Sequence, residues 1–182
     1  MKRLKIILVI TLLLLGGCHL GNMNNTPTRQ TELFFNKYQT LDQAVMSNLN
    51  RVVDLETQFN DEQREKYKDL MKTHYQNLIY KIKEEEINGD QAIVTVEIEV
   101  TDYSNQLREA DLYLIENPED FQNEQGQYDV ILYSDYRLDR LKKAEDKVKY
   151  TLDIGLTKVD QKWQVDQISQ IDEEKIHGIY VY

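Results

Sequence analysis

The sequence predicts an α+β domain in which N-terminal helices pack on a curved antiparallel sheet made of two long hairpins, with a helical insertion between the hairpins. Three observations predict it. Apolar residues recur at helical spacing from Leu33 to His74, the period switches to two between Leu78 and Val100, and it switches to two again between Val148 and Val165.

Thr26-Pro27 opens the first helix, with Thr26 as N-cap and the proline in the first turn, where its missing N–H costs nothing. Leu33, Phe34, Tyr38 and Leu41 mark its apolar face. Asp42 caps a second helix carrying Val45, Leu49, Val52 and Val53. Asn60 and Gln63 have capping-box spacing and start a third, with Tyr67, Leu70, Met71 and His74 on one face. Leu78, Tyr80 and Ile82 then alternate with Ile79, Lys81 and Lys83. Asn88-Gly89 reads as a type I′ turn, and Ala92, Val94, Val96, Ile98 and Val100 alternate with polar residues on the return. A sheet with one apolar face needs cover on that side only, which the three helices supply.

The insertion spans Tyr103 to Asp146. Leu107, Ala110, Asp111 and Leu114 give it helical spacing, Asn117-Pro118 ends that helix, Gly126 sits in a polar loop, and Val130 to Ala144 is helical again. In the second hairpin Val148, Tyr150, Leu152, Ile154 and Leu156 form one face, the turn falls near Asp160-Gln161, and Trp163 and Val165 continue on the return arm. Both hairpins are expected to have long arms. Asp172 to His177 reads as a short helix ended by Gly178, with His177 at its negative end. The apolar tail Ile179 to Tyr182 must dock on the domain.

Ahead of this domain, Lys2, Arg3 and Lys5 precede the uncharged run Ile6 to Leu15 and then Gly16-Gly17, the pattern of an export signal. The run is well short of the roughly 20 apolar residues that cross a bilayer. Leu15-Gly16-Gly17-Cys18 resembles the lipobox of bacterial lipoproteins, and Cys18 is the only cysteine of the chain. The resemblance implies a diacylglycerol on Cys18 and cleavage just before it. The expected organisation is therefore a signal peptide over 1–17, a lipidated cysteine and short tether over 18–25, and one domain over 26–182. Such an anchor holds a protein on a membrane because each buried methylene contributes about 0.8 kcal/mol and two chains suffice. The expected location is the extracytoplasmic side of a bacterial cell membrane.

Removing residues 1–17 takes away three of 22 basic residues and none of 32 acidic ones, leaving 19 against 32, a formal charge of −13. That charge repels nucleic acid and anionic lipid headgroups alike, so the membrane is expected to be reached through Cys18 alone and nucleic acid is not an expected partner. Twelve tyrosines against four phenylalanines and one tryptophan supply amphipathic rings for core edges, pocket walls or interfaces.

Thr26-Pro27 opening a helix with Phe34 and Tyr38, then Tyr80-Lys81-Ile82 leading through Asn88-Gly89-Asp90-Gln91-Ala92 into Val94-Thr95-Val96, and finally Leu156-Thr157-Lys158-Val159 before Lys162-Trp163-Gln164-Val165 resemble, in that order, small bacterial lipoproteins with an NTF2-like (cystatin-like) domain. The resemblance covers roughly 26–171 and implies a cone of helices in a bent sheet, often with a pocket between them. The long insertion departs from the plainest members.

Chemistry is sparse. His19 lies in the tether, His177 is explained by its helix end, and His74 on an apolar face reads as a core-edge residue. The acidic stretch Glu116 to Asp129 fails the EF-hand template at its only glycine, Gly126, so neither a metal nor a cofactor is expected. Glu97 and Glu99 fall on the polar strand face. Asp111, between Ala110 and Leu114, is the one carboxylate worth testing as a catalyst. Arg137, Arg140, Lys142 and Lys143, continued by Lys147 and Lys149, form a basic segment in an acidic protein and offer a contact for an acidic partner; the plainer reading is a solvated helix face. The leading expectation is a lipid-anchored, non-enzymatic binding or interaction domain whose partner is a protein, an envelope polymer or a small molecule. The alternative is a pocket for a small apolar or aromatic ligand lined by Phe34, Tyr38, Tyr80 and Trp163, with an isomerase or dehydratase of NTF2-like type third.

Overall fold

A computed structural model describes residues 25–181. The export signal, Cys18 and His19 lie outside the described residues, as does Tyr182. Six helices and four strands follow in the order α1 (Pro27–Gln39), α2 (Gln43–Leu55), α3 (Asp61–Gln76), β1 (Ile79–Asn88), β2 (Gln91–Thr101), α4 (Ser104–Glu116), a 3-10 turn (Pro118–Phe121), α5 (Val130–Lys142), β3 (Lys147–Val159), β4 (Lys162–Val165) and α6 (Gln170–Ile176). The class is α+β with an open antiparallel sheet of order β1-β2-β3-β4.

The helix starts follow the sequence. The Thr26 side chain accepts from Arg29 N, Asp42 accepts from Ala44 N, and Asn60 and Gln63 make the reciprocal capping box. Long-range contacts then fix the helices in place. At the start of α1, Thr28 N and Oγ1 both donate to Glu85 of β1, at 2.8 and 2.7 Å, so a carboxylate from another element sits at the positive helix end. Gln63, fully buried, uses its amide twice: Oε1 accepts from Asn60 N and Nε2 donates to Ile131 O at the start of α5.

The central pair β2–β3 runs in unbroken register from Gln91 opposite Thr157 to Thr101 opposite Lys147. Ala92, Val94, Val96, Ile98 and Val100 on one strand, with Tyr150, Leu152, Ile154 and Leu156 on the other, form a buried face under Phe35, Leu49, Val53, Met71 and Ile176. The opposite face is open to solvent and crossed by polar pairs, Lys83 with Glu97, Lys149 with Glu99 and Thr95 with Asp153. The alternation in β1 is broken by a bulge between Ile82 and Glu84, which adds local twist to that edge.

Four expectations are corrected. The second hairpin is asymmetric: β3 has 13 residues but β4 only four, because the chain leaves the sheet after Val165, with Asp166 N donating to Gly155 O. The β1–β2 turn is also not of the expected type. In the β1–β2 turn only Gly89 has positive φ, which is not the I′ pattern, whereas Asp160 and Gln161 are both left-handed, as I′ requires. The last helix starts two residues early, at Gln170, because Ser169 accepts from Asp172 N as its cap. Finally, α5 stops at Lys142, so Ala144 lies beyond it.

The insertion is a helical hairpin with a small aromatic core of its own. Phe121, on the 3-10 turn, meets Tyr133 and Tyr136 edge-on, and Tyr136 stacks on Tyr113 at 5.0 Å. Four of the twelve tyrosines belong to this cluster and its rim, counting Tyr128 against Tyr133. The acidic loop is structural. Asp120 accepts from Tyr113 OH, Asn123 Oδ1 accepts from Gln125 N and Gln127 N, and Asp129 caps α5.

Candidate functional site

Where α3 meets the insertion, the helices do not close completely. A pocket of about 130 Å³ remains, with apolar walls from Phe59, Leu70, Met71, Leu107, Leu138 and Ile179. Tyr103 and Leu141 complete the wall, and three side chains bring polar atoms to it: Glu56, Tyr67 and Arg137. The apolar lining follows from helical spacing, since Tyr67, Leu70 and Met71 are on the predicted face of α3 and Arg137, Leu138 and Leu141 share a face of α5. Burial pushes the Tyr67 hydroxyl up from its ordinary pKa, the Glu56 charge adds to this, and the Arg137 charge opposes it. The Nε of Arg137 is buried without a hydrogen-bond partner among the described residues.

Beside the pocket, the C-terminal segment is docked through two histidines. The Ile176 carbonyl can only accept, so His74 donates to it through Nε2 at 2.8 Å, leaving Nδ1 unprotonated and without a partner. His177 Nε2 pairs with Tyr75 OH at 3.1 Å. Burial holds both imidazoles down at about 4. His74 is thus a buried core residue. His177 is not the helix-end cation the sequence suggested, because desolvation outweighs the attraction of the negative helix end. The apolar tail follows: Ile179 lines the pocket and Tyr180 packs edge-on against Tyr150.

The four aromatic residues expected to share a pocket do not. Phe34 and Trp163 line an open groove between α1 and β4, together with Gln30, Leu33 and Lys37. Tyr38 is buried in the core edge-on to Tyr75, and its hydroxyl is pushed up to about 12 by burial. Tyr80 stacks on Phe35 from the edge strand and donates to Asn36 Oδ1. The helical period placed Phe34 and Tyr38 on one stripe, but that stripe is wide enough to bury one and leave the other at a rim.

The basic segment is likewise divided. Arg140 is tied to Glu109 of α4, Arg137 turns to the pocket, Lys147 donates to Thr101 Oγ1 and Lys149 pairs with Glu99. Lys142 and Lys143 remain exposed at the end of α5, with Lys142 beside a cleft that also holds Asp69 and Asp139. Asp111 is exposed and accepts from Tyr133 OH, so it positions a ring of the insertion core instead of facing a cavity. Sequence reasoning missed Glu56 and Phe59, which lie at the end of α2 and in the following loop, where no periodicity marks them.

No protein-family model matches the chain, and no curated protein matches it. Among solved structures, it is similar to a candidate lipoprotein of Bacillus subtilis at a TM-score of 0.43 and 16% identity, over 84% of this chain and 47% of that one. This chain therefore spans about half the length of that protein, and no feature of that protein is transferred to it.

Proposed function

We propose that this protein is a lipid-anchored, non-enzymatic binding domain of NTF2-like (cystatin-like) type, held on the extracytoplasmic side of a bacterial cell membrane through Cys18. The observation that carries this reading is Leu15-Gly16-Gly17-Cys18 after a basic and apolar leader, with the chain's only cysteine in the position that lipidation uses. The start of the domain is consistent with a short tether. Asn25 Nδ2 donates to Gln161 O and Asn25 Oδ1 accepts from Trp163 N, which fastens the chain to the β3–β4 turn. Seven residues separate Cys18 from Asn25, a reach of at most about 25 Å. The β3–β4 end of the sheet would then lie nearest the membrane, and the pocket at the helical insertion would be open to small molecules outside the cell.

Binding is favoured over catalysis because the candidate catalysts of the sequence, two histidines and Asp111, have other work. Both buried histidines dock the C-terminal segment, and Asp111 holds a tyrosine. Cell fractionation tests the anchor. The wild-type protein is expected in the membrane fraction and the Cys18→Ala variant in the soluble or secreted fraction. A processed Cys18→Ala protein that stays with the membrane would overturn the reading.

A further inference from the structure

The pocket between α3, α4 and α5 has a composition that selects a class of ligand. Its walls are mostly apolar, yet three polar residues also line it: Tyr67 and Arg137, which carry donors, and Glu56, which carries an acceptor. Tyr67 makes no hydrogen bond to a described residue, and Arg137 makes no hydrogen bond or ion pair with one, its Nε being buried besides. Glu56 is only loosely engaged, by Gln58 Nε2 at 3.5 Å. The buried Arg137 Nε, a donor without a partner among the described residues, costs free energy that an acceptor on a ligand recovers. A volume of about 130 Å³ lies in the range of a cavity that takes one benzene-sized group.

We infer that this pocket takes the side chain of a free apolar α-amino acid, leucine or phenylalanine, and holds the charged groups of that amino acid at its mouth. The inference rests on the binding-domain reading and names its ligand. The ligand carboxylate would meet Arg137 and Tyr67, its ammonium Glu56, and its side chain Phe59, Leu70, Met71, Leu107 and Leu138. A simple monocarboxylate leaves Glu56 facing a second negative charge, and a simple amine leaves Arg137 and Tyr67 unpaired. A ligand with both charges on one carbon, next to an apolar body, satisfies all three groups. The net negative charge of the protein does not oppose such a neutral zwitterion.

Calorimetric titration of the full-length protein in detergent tests this with L-leucine and L-phenylalanine, and with 4-methylpentanoate and 3-methylbutylamine as single-charge analogues. Saturable binding of at least one amino acid is expected, with each analogue at least about tenfold weaker, the usual effect of losing a charge-assisted hydrogen bond. Arg137→Met and Glu56→Gln should each weaken the amino acid by a similar factor. Leu107→Trp, which fills the pocket from its wall, should abolish binding while the thermal transition shows a folded chain. Absence of binding at millimolar amino acid, equal affinity for an analogue, or indifference to all three substitutions overturns the inference. The Cys18→Ala variant separates the two claims, because it should lose the membrane and keep the amino acid; a failed titration on a membrane-bound protein removes the ligand and leaves the anchor standing.

Discussion

Among the described glycines, Gly178 leaves the least room for a side chain. Its φ is +70°, and a Cβ there would lie 2.0 Å from Thr101 O and 3.1 Å from the His74 ring. Its carbonyl accepts from Tyr103 N at 2.7 Å, so the backbone cannot retreat without losing that bond. Gly89 has a similar φ of +63°, but open space surrounds it. Gly178→Ala is therefore expected to destabilise the domain by more than about 3 kcal/mol, against about 1 kcal/mol for Gly89→Ala, where only the left-handed conformation is at issue. Urea unfolding of the two variants checks this, and equal losses would mean that the contact with Thr101 relaxes freely. The close approach was hidden from the sequence, which marked Gly178 only as a helix stop. The left-handed pair Asp160 and Gln161 was hidden for the opposite reason. Neither residue is a glycine, and the turn is imposed by the register of β3 on β4 and braced by Asn25.

The element scale shows what the sequence made legible. Caps were readable because they are local: Thr26, Asp42 and Asn60 each satisfy an N–H two or three residues away. The long strands were readable because burial of one face enforces alternation from Ala92 to Val100 and from Tyr150 to Leu156. The early end of β4 was not, since Trp163 and Val165 alternate as any strand would. The pocket was illegible because Glu56, Tyr67, Arg137 and Ile179 are far apart in sequence and converge only through packing.

Docking of α6 gives this scale its prediction. His74 and His177 titrate at about 4 in the fold and at about 6.5 in the unfolded chain. Between these values the unfolded state binds more protons, so stability is fully present above about pH 6.5 and is lost as pH falls toward 4. The limiting slope is about 1.4 kcal/mol per pH unit for each histidine. Lys147 facing His74 acts in the same direction, while Glu174 near His177 opposes it. The urea midpoint should fall between pH 7 and pH 5 in the wild type and change much less in His74→Gln/His177→Gln. A wild-type midpoint unchanged over that range would mean that the imidazoles are hydrated.

At the scale of the molecule, one sheet face is buried under α1, α2, α3 and α6 and the other is wet, and the two edges are handled differently. Edge strand β1 carries Lys81, Lys83, Glu84, Glu85 and Glu86, charges that discourage pairing with another chain. Edge strand β4 is four residues long and flanked by α1. The insertion adds a second, aromatic centre beside the main core, and the pocket opens at the junction between the two. Among the described residues no helix is long and apolar enough to cross a membrane, and the expected charge of −13 after processing gives no adhesion to anionic lipid.

Cys18 carries the proposed anchor. Intact-mass spectrometry of the protein extracted from membranes measures it directly. The expected result is a chain beginning at Cys18 whose mass exceeds that of residues 18–182 by a diacylglyceryl group, with the excess confined to the N-terminal peptide. A mature chain with an unmodified Cys18, or one that retains residues 1–17, would contradict it.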